Sequence, residues 1–225
     1  MTPAQLYADV RVRMTDLVRD LPDDRAATTV PGCPTWTVHD LVAHCAGLVT
    51  DVLEGRFDGA GEDHWTAAQV AARKDVPIPD LLTEWSEGAA TFEPRLDEFP
   101  KAIWKTVVVD LVTHEHDLRG ALGTPGARDT EAVALATKSY AVGLAKTIEA
   151  QGLPGLRLEA PDWTFDAGPE PATTVRVKES FELFRALSGR RGRAQVLAYD
   201  WSGDPAPYLP VLNRFGALPE TDVVE

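Results

Sequence analysis

Two histidines and an aspartate are the residues of this chain best suited to chemistry. Asp110 and His114 stand four residues apart in VVVDLVTHEHDLRGALG, and His44 lies far earlier, in PTWTVHDLVAHCAGL. Two imidazoles with one carboxylate make the three-ligand set of catalytic metal sites. Such sites leave coordination positions open, whereas structural sites are closed by four protein ligands. The spacing by itself leaves plainer roles open. A histidine at a helix edge is commonly just hydrogen-bonded, and Asp and His at i, i+4 can form a simple charge pair on a helix surface.

The elements that must carry these residues are two helices. One is predicted over 101–122, between Pro100 and the pair Gly123 and Pro125. At 100° per residue, His114 falls about 40° from Asp110, and Asp117 falls about 20° to its other side. The three share a narrow stripe beside the apolar residues Val107, Leu111, Leu118 and Leu122. His116 falls roughly 240° from Asp110 and faces elsewhere. Asp117 is therefore placed to orient a ligand from behind, or to make an ordinary interhelical hydrogen bond. The other helix starts after Thr37, with Asp40 completing a capping box and Trp36 and Leu41 at the positions of a hydrophobic staple. It runs to about Gly55, with Leu41, Cys45, Leu48 and Val52 on one face and His44 at the edge of that face. Packed together, the two helices can aim His44, Asp110 and His114 into one cleft, as ligand sites in bundles are built.

Further helices are predicted over 3–20, 63–73, 79–98 and 130–151, with a turn-rich loop, DLPDDRAATTVPGCPTW, before Thr37. After Gly152 the pattern changes. LRLEA, WTFDA and TTVRVKES read as strands, FELFRALSGR as a short helix and AQVLAYDW as another strand. The expected architecture is α+β: a helical bundle over 1–152 and a small α/β domain over 153–225.

A chain of 225 residues with 44% hydrophobic content can bury a substantial core. The net charge of −13 argues against nucleic acid as a partner, because phosphate attraction needs a positive face. No stretch approaches a membrane span and the N-terminus lacks a signal-peptide core, so no membrane partner and a cytoplasmic location are expected. The two cysteines, Cys33 and Cys45, cannot build a disulfide scaffold and read as structural thiols. Arg190, Arg191 and Arg193, in GRRGR, could bind an anionic substrate or complement a helix C-terminus. His39 and His64 read as surface histidines.

The segments PGCPTWTVHDLVAHCAG and DLVTHEHDLRGALG resemble the mycothiol-dependent maleylpyruvate isomerase family, whose members have a DinB-like helical bundle. FELFRALSGRRGRAQVLAYDWSGDP more loosely resembles the small C-terminal α/β domain found after that bundle. The resemblance implies His44, Asp110 and His114 as metal ligands, zinc as the metal, and the actinobacterial thiol mycothiol as cosubstrate. The family's carboxylate ligand is typically glutamate. Here the position carries the shorter Asp110, so the helix must approach the metal more closely. Two histidines and a carboxylate also suit iron(II) or another divalent ion.

The implied function is that of a thiol-dependent isomerase or S-transferase acting on a small electrophile through a metal-bound thiolate. In the isomerase chemistry, the thiolate adds to an activated cis double bond, and rotation and elimination give the trans product. The partners are then a small thiol and a small electrophile, acting on a monomer or small homo-oligomer. Two rivals remain from the residues alone: a metal-dependent hydrolase using metal-bound water, and a non-catalytic binding protein that retains the fold.

Overall fold

The computed structural model describes residues 1–225. It divides into two compact units, one formed by residues 1–126 with the last residue, the other by residues 127–224. The architecture is α+β.

The first unit contains α1 (Pro3–Val18), the single turn α2 (Asp23–Ala26), a hairpin of β1 (Thr29–Val30) and β2 (Cys33–Thr37), then α3 (Val38–Glu54), α4 (Asp63–Arg73), α5 (Ile78–Leu96) and α6 (Lys101–Leu122). Local chemistry sets the ends of these helices. The side chain of Thr2 accepts from Gln5 N–H while the side chain of Gln5 accepts from Thr2 N–H, and Thr37 and Asp40 do the same for α3. Both α3 and α6 stop at a glycine in the left-handed region, Gly55 at φ 73° and Gly123 at φ 66°, which an L side chain adopts only under strain.

The bundle forms because one stripe of each helix is apolar. α1 buries Leu6, Tyr7, Val10, Met14 and Val18 against α5 and α6. α3 buries Leu41, Val42, Cys45 and Val49 against α5, which contributes Leu81, Trp85, Ala89 and Phe92. The one polar contact among these large side chains is satisfied: Trp85 Nε1 donates to Tyr7 Oη at 3.1 Å. Burial pushes the Tyr7 phenol far above its usual range, so it stays neutral.

The segment expected as a loop before Thr37 contains the hairpin β1–β2, which packs on α3 and α6. It folds because Val30 is fully buried while its neighbours are turn residues.

The second unit begins with α7 (Glu131–Ala150) and continues with β3 (Gly155–Ala160), β4 (Trp163–Ala167), β5 (Pro171–Arg176), α8 (Ser180–Leu187), α9 (Arg193–Leu197), β6 (Asp200–Trp201) and α10 (Leu209–Leu212). The sheet order is β4-β3-β5-β6. Only the central β3–β5 pair is parallel. Leu156, Leu158 and Ala160 alternate inward on β3, as the period-2 reading requires.

Two details differ from the sequence reading. The division falls before α7 rather than after Gly152, because α7 packs on α8 and β4. In AQVLAYDW the first half is helical (α9), leaving only Asp200–Trp201 as strand.

Arg190 and Arg191 are buried within the second unit. Arg190 Nη1 donates to Ser188 O at 2.7 Å, and Arg191 makes two bonds to the Glu182 carboxylate, at 2.8 and 2.9 Å. Their donors anchor the turn after α8, while Arg193 is exposed.

Burial alone would raise the Glu182 pKa, but the Arg191 hydrogen bonds and charge outweigh it and hold the carboxyl below its ordinary value. A depressed carboxylate contributes stability that is present above its unfolded pKa and disappears as pH falls through the folded one. Glu182→Gln is therefore expected to be less stable than wild type at neutral pH, with the gap closing as pH drops below about 4. Thermal unfolding of both proteins across that range checks this; a gap independent of pH would show that the pair does not titrate as described.

Candidate metal centre

Helix α3 presents His44 and helix α6 presents Asp110 and His114, and the packing brings one donor atom of each within 4.8 Å of the others. His44 and His114 are buried, at 2% and 7% exposure, while the Asp110 side chain remains 39% exposed. His44 Nε2 lies 3.5 Å from Asp110 Oδ2, and His114 Nε2 lies 3.6 Å from Asp110 Oδ1. One carboxylate thus turns an oxygen toward each ring, so the short aspartate arm reaches both histidines.

The other ring nitrogens are engaged. His44 Nδ1 is 2.8 Å from Gln69 Oε1, and Gln69 Nε2 donates to Asp51 Oδ2 at 2.6 Å. Asp51 also accepts from Arg56 Nε at 2.7 Å. Because an ionised carboxylate only accepts, the Gln69 amide must offer its NH2 to Asp51 and its oxygen to His44. His44 Nδ1 must then carry the proton, leaving a lone pair on Nε2. His114 Nδ1 lies 3.1 Å from Asp117 Oδ2 on a fully buried carboxylate, which selects the same tautomer.

This donor set fits a divalent cation. Nitrogen and oxygen ligands about 2.0–2.2 Å from a tetrahedral ion lie roughly 3.4 Å from one another. Each Nε2 lies at about that separation from one of the two Asp110 oxygens, His44 from Oδ2 and His114 from Oδ1. Both imidazoles are backed by an acceptor on the far nitrogen, as ligating histidines almost always are.

Trp36, at the end of the hairpin, covers the pair. Its ring centroid lies 5.0 Å from that of His44 and 5.7 Å from that of His114. Beside it opens a cavity of about 440 Å³ lined by Cys33, Thr35, Trp36, Asp63, Thr66, Ala67 and His114. That volume accommodates a small organic molecule.

Of the residues singled out in the sequence, His44, Asp110, His114 and Asp117 come together. His116 is buried but belongs to neither cluster of possible ligands. His39, expected at the surface, is half-buried, its Nε2 2.7 Å from Val76 O, while His64 is exposed. Burial, reinforced by Asp110 and Asp117, pushes the Cys45 thiol well above its usual range, in keeping with a core role.

Gln69 and Cys33 were not legible as site residues. Gln69 is one of many polar residues on a short helix. Its one sequence signal is indirect: Gly47, mid-helix in α3, where glycine is costly. A Cβ there would meet Gln69 Cβ and Arg73 Nη1, each at 2.8 Å, so the glycine lets α4 approach closely enough for Gln69 to reach His44. Gln69→Leu removes the acceptor behind His44 without adding charge. Zinc affinity is expected to fall about 10–100-fold, measured by competition with a chromophoric chelator; wild-type affinity would show that this bond does not support the ligand.

Comparison with known proteins identifies the family and the fold. The profile of the family described as the mycothiol maleylpyruvate isomerase N-terminal domain matches residues 7–134, more than half of the chain. Two solved structures share the fold. One, a histidine-to-alanine variant of the mycothiol-dependent maleylpyruvate isomerase, superposes with a TM-score of 0.62 at 12% identity. The other, the mycothiol-dependent maleylpyruvate isomerase itself, superposes with a TM-score of 0.56 at 14% identity. Each alignment covers 89% of this chain and 91% of the other. No curated protein sequence matches significantly.

Proposed function

This chain belongs to the mycothiol maleylpyruvate isomerase N-terminal domain family, and from that premise we propose that it is a thiol-dependent metalloenzyme. In this reading His44, Asp110 and His114 hold a divalent ion, preferably zinc, and mycothiol is the cosubstrate for isomerisation of a small electrophile or transfer of the thiol to it. The observation that carries the reading is the convergence of both Nε2 atoms on one carboxylate while both Nδ1 atoms are held from behind.

A divalent cation bound there supplies a Lewis acid that keeps a coordinating thiol deprotonated, although a free thiol has a pKa of about 8.5. The protein's own residues do the rest. Gln69 and Asp117 hold the imidazoles in one tautomer and one orientation. Trp36 lies over both rings and limits water from its side. The cavity next to His114 gives the electrophile a place within reach of the thiol.

The lining favours one version of this chemistry. It carries Asp63 and neither lysine nor arginine. A dianionic substrate would find no counter-charge among these side chains, so an electrophile of low charge suits the cavity better.

Metal analysis of wild type beside His44→Ala tests the site, and turnover of a panel of electrophiles with and without added thiol tests the reaction. Wild type is expected to hold about one equivalent of metal, the variant to lose it, and turnover to need thiol. Thiol consumed in proportion to product indicates transfer, and thiol regenerated indicates isomerisation. Turnover unchanged without thiol would point to the hydrolase instead, and unchanged metal content in His44→Ala would refute the site.

A further inference from the structure

His114 faces a second donor set on its other side. Its Nδ1 lies 3.1 Å from Asp117 Oδ2, and the Cys33 thiol donates to the same oxygen at 3.5 Å. Donor atoms of Cys33, His114 and Asp117 all lie within 4.8 Å of one another. The first strand of the site-covering hairpin turns back at Val30, and β2 opens with Cys33, so the hairpin itself delivers the sulfur.

We propose that Cys33, His114 and Asp117 form a second cation position, specific for a thiophilic divalent ion such as zinc or cadmium. Three features support it. Sulfur about 2.3 Å and oxygen about 2.1 Å from a tetrahedral ion lie roughly 3.6 Å apart, close to the observed separation. A Cys–His–carboxylate set is softer than the His–His–carboxylate set beside it, so it discriminates toward thiophilic metals and against iron(II) or magnesium. Cys33 and His114 also line the cavity, so an ion has a path from solvent and a vacant side for further ligands. With both positions occupied, His114 bridges them as an imidazolate, and its Nδ1 proton and that of the Cys33 thiol pass to solvent, so this position fills after the first.

The inference shares His114 with the proposed function but does not depend on that reading. The test is a cadmium titration of the chelator-stripped full-length protein, followed by near-ultraviolet thiolate-to-cadmium charge-transfer absorption and by equilibrium dialysis. Wild type is expected to bind two equivalents, with the band growing on the second. Cys33→Ser is expected to bind one equivalent and show no band, and Cys45→Ser to behave as wild type. Circular dichroism guards against a folding defect. Absence of the band in wild type, or its persistence in Cys33→Ser, would overturn the second position. Failure of the first position reads differently: wild type would bind a single equivalent, with the band present and unaffected by His44→Ala.

Discussion

His114→Ala is expected to abolish metal binding more completely than any other single substitution in the protein, lowering zinc affinity by well over 100-fold. The loss of an acceptor behind a ligating histidine already costs about 10–100-fold, and this substitution removes one of the proposed ligands itself. His114 is also the only residue common to both clusters of possible ligands. Alanine would leave the buried Asp117 carboxylate without its imidazole partner and enlarge the cavity next to Trp36. Competition with a chromophoric chelator measures the effect. Asp110→Glu is the informative companion. Its longer arm restores the residue typical of the family, and the exposed carboxylate has room to move, so binding should survive. If His114→Ala bound zinc like wild type, both cation positions would be wrong together.

The second large effect concerns stability. Glu115 neighbours His114 in sequence but points into the interface between α1 and α6, where it is fully buried. Arg13 of α1 makes two bonds to its carboxylate, at 2.8 and 2.7 Å, and Arg119 makes two more, at 3.0 and 2.9 Å. The Glu115 hydrogen bonds raise the Arg13 pKa above its already high ordinary value, so its guanidinium is charged at any working pH. Glu115→Ala leaves two guanidinium groups facing an apolar hole. Breaking a buried pair costs about 3–5 kcal/mol. The lower end is expected here, because Arg13 keeps 26% and Arg119 14% of its side-chain surface in contact with solvent. Urea unfolding of wild type and variant measures the difference. Replacing Arg13, Glu115 and Arg119 together by apolar residues of similar volume should recover much of the loss, since an apolar substitute avoids desolvating the charges. A Glu115→Ala penalty below about 1 kcal/mol would show that the three-residue network behaves like a surface salt bridge.

Much of the site is local and therefore readable from the chain. The helix period puts Asp110, His114 and Asp117 on one stripe before any packing is known. Thr37 with Asp40 marks the start of α3 and thereby the phase of His44, and the structure keeps that capping box. The α+β order likewise follows from the change of hydrophobic period after Gly152.

Tertiary structure decided the rest, because it depends on which surfaces meet. Gln69 becomes a site residue only because α4 lies close over Gly47, a contact between helices that no spacing within either one encodes. Cys33 reads from the sequence as a structural thiol in a turn-rich loop and Trp36 as half of a helix staple. The hairpin, a pairing of segments with no strong strand signal of their own, sets Trp36 over the two histidines and Cys33 against Asp117. Nothing in the sequence singled out Glu115, whose burial depends on α1 packing across it and on Arg13 reaching its carboxylate. α7 has the same apolar stripe that a bundle helix would have, and only its contacts with α8 and β4 assign it to the second unit. Backbone periodicity and capping act over a few residues and survive in a linear reading. The partners of a buried polar group are chosen across the whole chain, by the packing that removes them from water.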